Sequence, residues 1–469
     1  MKEILQIVSI FMKSASISSM IISNKKETFL IFIGDLFIFT MSLWISLALR
    51  NGEIPLFESF IEHFIPFTFI FLAWIIVFFI AGLYDKYTTI LKDSLSGVIF
   101  NTQLVNSAIA IAFFYLIPYF GIAPKTILFL NLIISFILIY TWRINSHQIL
   151  GFKRKEPAIL IGGGEEMQSV LNEINDNPRS ELKFVLSINL DKEKDTSYTN
   201  SVVQKIKSGQ ASVIVIDLKD SRIEPILPEL YHQIFSGVKF IDMDKVYESI
   251  FDRVPLSFLQ YDWFLENVSQ KHDSIYLFFK RALDIFISLI ILIILIPLFP
   301  LIAVAIMLDT GNTKFIISQK RVGEGGKIVS IYKFLTMLID DGGDEELKKK
   351  NRLTNVGKFL RKTRLDELPQ VWNVMKGELS LIGPRPEMPL FVELYEKEIP
   401  YYNIRHIIKP GLSGWAQIYQ DNPPKGSINF DDTKTKLSYD LYYLKNKSIM
   451  LDLTIALKTI KTLLSRKGK

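Results

Sequence analysis

The sequence predicts a mixed membrane protein: a four-helix transmembrane bundle, an α/β unit, and a second α/β domain that carries a re-entrant membrane helix hairpin. Three observations predict it. Four apolar runs fill the first 150 residues, an apolar strand ending in glycines starts at Pro157, and a proline-interrupted apolar stretch from Ile285 to Leu308 has basic residues on both sides. The implied boundaries are 1–26 for an N-terminal arm, 27–150 for the spans, 151–270 for the first α/β unit and 271–469 for the remainder. Composition agrees, because 49% hydrophobic residues and a mean hydropathy of +0.26 are too apolar for a soluble chain with 22% charged residues. The net charge of +6 comes without a basic block interleaved with aromatics, so it is read as membrane topology and no nucleic-acid partner is expected. The absence of cysteine excludes disulfides, thiolate zinc sites and a cysteine nucleophile. No short apolar run followed by a small-residue cleavage site begins the sequence, so no cleaved signal peptide is expected.

The spans are placed at Phe29–Leu49, Ile61–Leu83, Leu95–Pro118 and Lys125–Trp142, each near the roughly 20 residues that cross a hydrocarbon core. Lysine and arginine orient them. The N-terminal arm, the Asp85–Asp93 loop (Lys86, Lys92) and the exit (Arg143, Lys153, Arg154, Lys155) are basic, whereas the Asn51–Glu62 loop is acidic, so both ends of the block are expected on the cytoplasmic side. Asp35, the intramembrane acid of the first span, is either a functional group or a partner for a neighbouring helix.

From Pro157, AILIGGGEEMQSVLNEI reads as strand, glycine turn and amphipathic helix, and further strands at Phe184–Asn189 and Ala211–Leu218 follow at doubly wound spacing. The unit resembles a Rossmann fold. Gly162 and Gly164 supply two glycines of the dinucleotide fingerprint, but Met167 stands at the third. The unit is therefore read as a degenerate nucleotide fold kept for packing or for homodimer formation rather than as an NAD or CoA site.

The Ile285–Leu308 stretch would pass as a fifth span by length. Pro297 and Pro300 near its middle should bend or break it, and Lys271, Lys280 and Arg281 before it match Lys314, Lys320 and Arg321 after it. A hairpin that dips into one leaflet and returns fits both facts. Phe315–Lys333 then reads as strand, turn and strand, with Gln319, Arg321 and Lys333 available to face phosphate or headgroup; glycines 323, 325 and 326 are a hairpin connection rather than a phosphate cradle. Asp340–Lys350 reads as a solvated surface helix.

The stretch with chemistry in it is RKTRLDELPQVWNVMKGELSLIGPRPEMP, from Arg361 to Pro389. Asp366 and Glu367 are adjacent acids able to act as a nucleophile or hold a divalent cation, and Arg361 and Arg385 can neutralise phosphoryl oxygens. Asp366 has a plainer reading too, as a helix N-terminal carboxylate behind a Thr363 cap, with Pro369 in the first turn.

KRALD (280–284), QKRVGEGGK, IYKFLTM, RLTNVGKFLRKTRLDELPQVWNVMKGELSLIGPRPE, IIKPGLSGWAQI and KLSYDLYYLKNKSIMLDL together resemble the bacterial sugar transferases, polyprenyl-phosphate glycosyl-1-phosphate transferases, over residues 275 to 465. The spans and Rossmann-like unit resemble the large members of that superfamily. The resemblance implies an enzyme of the inner membrane, its catalytic domain on the cytoplasmic face. It would move a hexose 1-phosphate from a UDP-sugar to undecaprenyl phosphate, release UMP and begin an exopolysaccharide, capsule or O-antigen glycan. It implies Asp366 as nucleophile, Asp366 and Glu367 as holders of Mg²⁺, Arg361, Arg385 and Lys333 as phosphate-binding residues, and Lys280, Arg281, Asp284 and Pro297 as the hairpin's membrane-interface residues. Three departures stand out: Leu335 where an arginine is usual, Ile296-Pro297 for a Ser-Pro pair, and Asp421 near a usual arginine. Two other readings are weighed. A membrane-bound NAD-dependent nucleotide-sugar dehydratase would need an intact fingerprint and a Tyr-x-x-x-Lys in the same domain, yet Tyr276–Lys280 and Tyr443–Lys447 fall outside it. An inactive scaffold of a polysaccharide assembly complex would not need Asp366, Glu367 and Arg385.

Overall fold

Where the sequence is uniformly apolar over a bilayer's width, the computed structural model forms long helices: α1 (Ile17–Asn51), α2 (Phe57–Ala81), α3 (Lys92–Leu116) and α4 (Lys125–Ile149). The structure describes residues 17–84, 92–116, 125–149, 155–193 apart from 178, 179 and 181, 198–268, 274–338 apart from 312, 352–420 and 428–464. The N-terminal arm up to residue 16, most of the Asp85–Asp93 loop, Lys153, Arg154, Lys271, the Asp340–Lys350 stretch and Asp421 lie outside those residues. The chain divides into two compact units, Met1–Ile250 and Phe251–Lys469.

In the first unit, Phe39, Phe67, Trp74, Phe78, Ile99 and Ile139 form the interior of the helical region. Segments of α1 to α4 are long and apolar enough to cross a membrane, as befits a membrane protein. Asp35 faces a partner helix: it accepts from Arg143 Nε at 3.1 Å, from Arg143 Nη2 and from Tyr84 Oη at 2.7 Å, while Arg143 Nη1 donates to Leu83 O at 2.7 Å. A buried acid with three donors is satisfied in place and needs no ligand.

The same unit continues into a four-stranded parallel sheet of order β2–β1–β3–β4, from β1 (Glu156–Gly162), β2 (Leu182–Asn189), β3 (Val213–Ile216) and β4 (Lys239–Asp242). Ile159, Ile161, Ile214 and Ile216 are completely buried in it. Met167, in helix α5 (Gly164–Asp176), is buried where a fingerprint glycine would lie. The turn that would face a pyrophosphate is filled from within. Gly164 N donates to Asp191 Oδ2 at 2.7 Å, and a Cβ on Gly163 would meet Asp191 Oδ1 at 2.7 Å and Arg222 Nη2 at 2.9 Å.

The second unit starts ahead of the 270/271 boundary read from the sequence. Val254, Leu259, Trp263 and Phe264 are buried with Tyr395, Tyr402, Leu437 and Leu441, and Trp415 Nε1 donates to Asp252 O at 2.8 Å. Then comes α6 (Ser274–Thr310), one helix of 37 residues that contains both Pro297 and Pro300. The expected break is not there. Each proline removes one backbone donor, a loss a long apolar helix can absorb. Both ends of α6 are fastened to the second unit. Arg281 donates to Val374 O and Met375 O, each at 2.7 Å, and Asp284 Oδ1 accepts from Leu381 N at 3.0 Å; towards the other end, Ile306 packs with Phe334, Leu335 and Leu360, and Asp309 Oδ2 accepts from Val356 N at 2.7 Å.

Around α6 stand an antiparallel hairpin, β5 (Ile316–Val322) and β6 (Ile328–Phe334), and a short parallel pair, β7 (Ser380–Ile382) and β8 (Gly411–Ser413). The glycines at 323, 325 and 326 form the hairpin turn, as expected. Two glycine segments cross where β7 meets β8. A Cβ on Gly411 would lie 2.1 Å from Gly383 N, so nothing larger fits, and Gly411 N donates to Pro384 O at 2.9 Å. That crossing fixes the backbone just before Arg385.

Candidate active site

The acid pair sits on a 3₁₀ turn, Leu365–Gln370, entered through Arg364 in the left-handed region (φ 58°). Thr363 does not cap it. Its hydroxyl donates to Phe359 O at 2.8 Å and Leu360 O at 3.2 Å, closing the preceding helix α7 (Asn355–Lys362), so Thr363 is not the expected cap, although Asp366 does lie in the first turn of the 3₁₀ segment.

The two acids are treated differently. Glu367 Oε1 accepts from Arg385 Nη2 at 2.5 Å and from Lys333 Nζ, on β6, at 3.2 Å. Burial would raise its pKa, but Arg385 and Lys333 hold it far below the usual carboxylate range. Asp366 Oδ1 is buried with no hydrogen-bond partner among the described residues. Burial first, then the Glu367 carboxylate, pushes its pKa above the ordinary 3.8 against Lys333, Arg361 and Arg364. A buried carboxylate oxygen without a donor costs free energy unless something arrives to use it, which is the condition of a nucleophile or of a cation ligand.

Lys333, Glu367 and Arg385 thus form one cluster. Arg321 is next to it: burial lowers its pKa, and the charges of Glu387, Arg385 and Glu367 act on it, while its Nη2 donates to Gln319 Oε1 at 3.1 Å. Arg361 is oriented by Thr336, its Nε donating to Oγ1 at 2.9 Å. Lys280, Arg281 and Asp284 have other partners. Lys280 Nζ lies 2.8 Å from Asp452 Oδ2, which also accepts from Tyr276 at 3.0 Å, so these α6 residues anchor the helix. Pro297 remains inside α6. Leu335 is buried with Ile306 and Leu360 and brings no charge.

Behind Arg385 lies a layer that the sequence reading missed. Arg405 Nη2 donates to Arg385 O at 2.9 Å; the same guanidinium pairs with Asp440 at 2.7 Å and donates from Nη1 to Tyr402 Oη at 2.8 Å. Lys436 pairs with Glu387 close by. Lys436 and Asp440, four apart among Leu437, Leu441 and Leu444 on helix α8 (Phe430–Asn446), are charges on an apolar face, and that spacing was the available signal.

The profile of the family described as bacterial sugar transferase matches residues 275–466. The exopolysaccharide production protein PSS of Rhizobium leguminosarum bv. phaseoli is 36% identical over 199 residues, which are 40% of this chain and 96% of that protein. The chain belongs to the bacterial sugar transferase family. Larger relatives align with this sugar transferase over a similar number of residues. The UDP-N-acetylgalactosamine-undecaprenyl-phosphate N-acetylgalactosaminephosphotransferase of Aeromonas hydrophila is 44% identical over 198 residues, 41% of this chain and 45% of the relative. The UDP-glucose:undecaprenyl-phosphate glucose-1-phosphate transferase of Klebsiella pneumoniae is 39% identical over 186 residues, 39% of each. In both, the match spans less than half the relative's length.

Magnesium is the cation that the family resemblance implies. Asp366 Oδ1 is free to bind one, and Glu367 Oε2 has only a long 3.4 Å contact with Arg385 Nη1. Among the described residues no three acids, histidines or cysteines converge as a metal cage. Two carboxylate oxygens fit an ion that takes most of its ligands from substrate phosphates and water.

Proposed function

We propose that this sugar transferase moves a sugar 1-phosphate from a UDP-sugar to undecaprenyl phosphate at the cytoplasmic face of the inner membrane, through a covalent intermediate on Asp366. The observation that carries it is the contrast inside the dyad: Glu367 is pinned by Lys333 and Arg385, whereas Asp366 Oδ1 is buried and unpartnered. The Asp366 carboxylate attacks the sugar-side phosphorus, the bond from that phosphorus to the bridging oxygen breaks, and UMP leaves with that oxygen. An oxygen of the acceptor phosphate then attacks the same phosphorus, and Asp366 departs as a free carboxylate. Arg385, Lys333 and Arg321 would bind the diphosphate oxygens, and Mg²⁺ held by Asp366 and Glu367 would offset their charge. The names of the Aeromonas and Klebsiella relatives support the substrate classes, and the sugar is left open by their difference. Mixing the protein with UDP-sugars in the absence of acceptor should give a stoichiometric burst of UMP; turnover only as a ternary complex, with no burst for any sugar, would overturn the covalent route.

Both ends of α6 are attached to one unit, which supports a course in which the two ends lie on one side of the membrane although the helix runs unbroken through Pro297 and Pro300. A reporter fused after Lys469 should then behave as cytoplasmic, and a periplasmic readout would refute that topology.

The pH profile of the UMP burst follows from the dyad. Asp366 attacks only when ionised, and burial raises its pKa, so the rate falls with decreasing pH along a limb centred above 3.8. On the alkaline side, burial lowers Lys333 from its usual 10.5, so its charge is lost sooner as pH rises. An Asp366-dependent burst whose rate does not fall as the pH is lowered would contradict the assignment.

A further inference from the structure

A cavity of about 670 Å³ lies between α6 and the turn that carries the dyad. Its walls include Ile296, Phe299 and Pro300 from α6, Tyr332 from β6, Leu368 from the dyad's own turn, and Trp372 just after it. Among the described residues no charged side chain lines it, so it suits neither a sugar nor a nucleotide, and its size is that of a ligand site rather than a packing defect. Two of its walls are also outer surface: Ile296 is 71% exposed and Trp372 is 52% exposed, and both stand among the exposed apolar residues of the second unit. The cavity is therefore continuous with surface that prefers hydrocarbon, while Leu368 is two residues from Asp366. A ligand that reached both the cationic cluster at the dyad and this cavity would join an anionic head to an apolar chain.

We infer that this cavity holds the isoprene units next to the phosphate of the acceptor, with the rest of the chain left in the bilayer. The inference rests on the proposed transfer reaction and deepens it. The cavity is far smaller than an undecaprenyl chain, so it selects by the first units and not by total length. Phe299, Tyr332 and Trp372 give the cavity aromatic walls, which would pack better against unsaturated isoprene units than against a saturated straight chain. Trp372 is half exposed and contributes little to the core, so its loss should leave the fold in place.

The test uses the full chain in nanodiscs. Trp372→Ala should raise the KM for polyprenyl phosphate about tenfold, with Trp372→Phe restoring most of it, while the KM for UDP-sugar shifts less than twofold. Equal shifts in both constants would overturn the pocket. A farnesyl phosphate carrying a photoreactive group in its first isoprene unit should label the Leu368–Trp372 peptide, and undecaprenyl phosphate should compete. Labelling elsewhere, or equal competition by dioleoyl phosphatidic acid, would overturn it and assign the cavity to bilayer lipid. Failure of the reaction itself would show separately, as absent UMP release from every UDP-sugar in the wild-type protein.

Discussion

Asp366→Asn is expected to abolish the UMP burst and to lower steady-state transfer by about 10⁴-fold or more, because an amide cannot form the phosphosugar intermediate. The expected effect on stability has the opposite sign. The wild-type carboxylate is buried without a donor on Oδ1 and lies beside a second carboxylate, so folding carries an unfavourable charge at this position. The amide removes that charge and keeps the shape. Its unfolding temperature should equal or exceed that of wild type. Glu367→Gln should behave differently, because it leaves Arg385 and Lys333 facing a neutral partner in a half-buried cluster, and stability should fall along with activity. Rate and thermal unfolding measured on both variants separate a reacting group from one held in the frame. Full turnover by Asp366→Asn would sink the nucleophile.

One half of this contrast was legible in the sequence and the other was hidden, for a physical reason. Asp366 and Glu367 are neighbours in the chain, and a motif locates both. What distinguishes them is set by Lys333, 34 residues from Glu367, and Arg385, 18 residues away. Those contacts exist only after the β5–β6 hairpin has formed and the Gly383 and Gly411 segments have crossed. The four N-terminal spans were readable because hydrocarbon thickness fixes length and composition together. The Asp35–Arg143 pair, 108 residues apart, was not, since any of the helices could have supplied the partner. At α6 the rule that proline breaks helices was too strong, since it describes helices with water available to compete for the backbone.

Arg405→Met is expected to be the most damaging single change outside the dyad, and its mechanism can be dissected. Arg405 and Asp440 form an ion pair whose side chains are each 1% exposed. Removing the cation leaves the Asp440 carboxylate buried without its counter-ion, a loss of about 3–5 kcal/mol in comparable pairs. Since Asp440's pKa is already raised by burial ahead of the opposing pull of Arg405, loss of the cation should drive it to take up a proton instead of staying charged. Arg405→Met should therefore be less unstable at low pH relative to wild type than at neutral pH. Pairing it with Asp440→Leu should recover much of the stability, because two apolar groups replace two charges. Activity should not recover with it. Arg405 also donates to the carbonyl of Arg385, and without that bond the backbone keeps its neighbouring ties at Pro384 and Glu387 but none at Arg385 O, so the guanidinium that pins Glu367 is less firmly positioned. A double variant that regains its unfolding temperature but still releases UMP poorly would identify Arg405 as the residue that positions Arg385; one that regains both would reduce it to a structural pair.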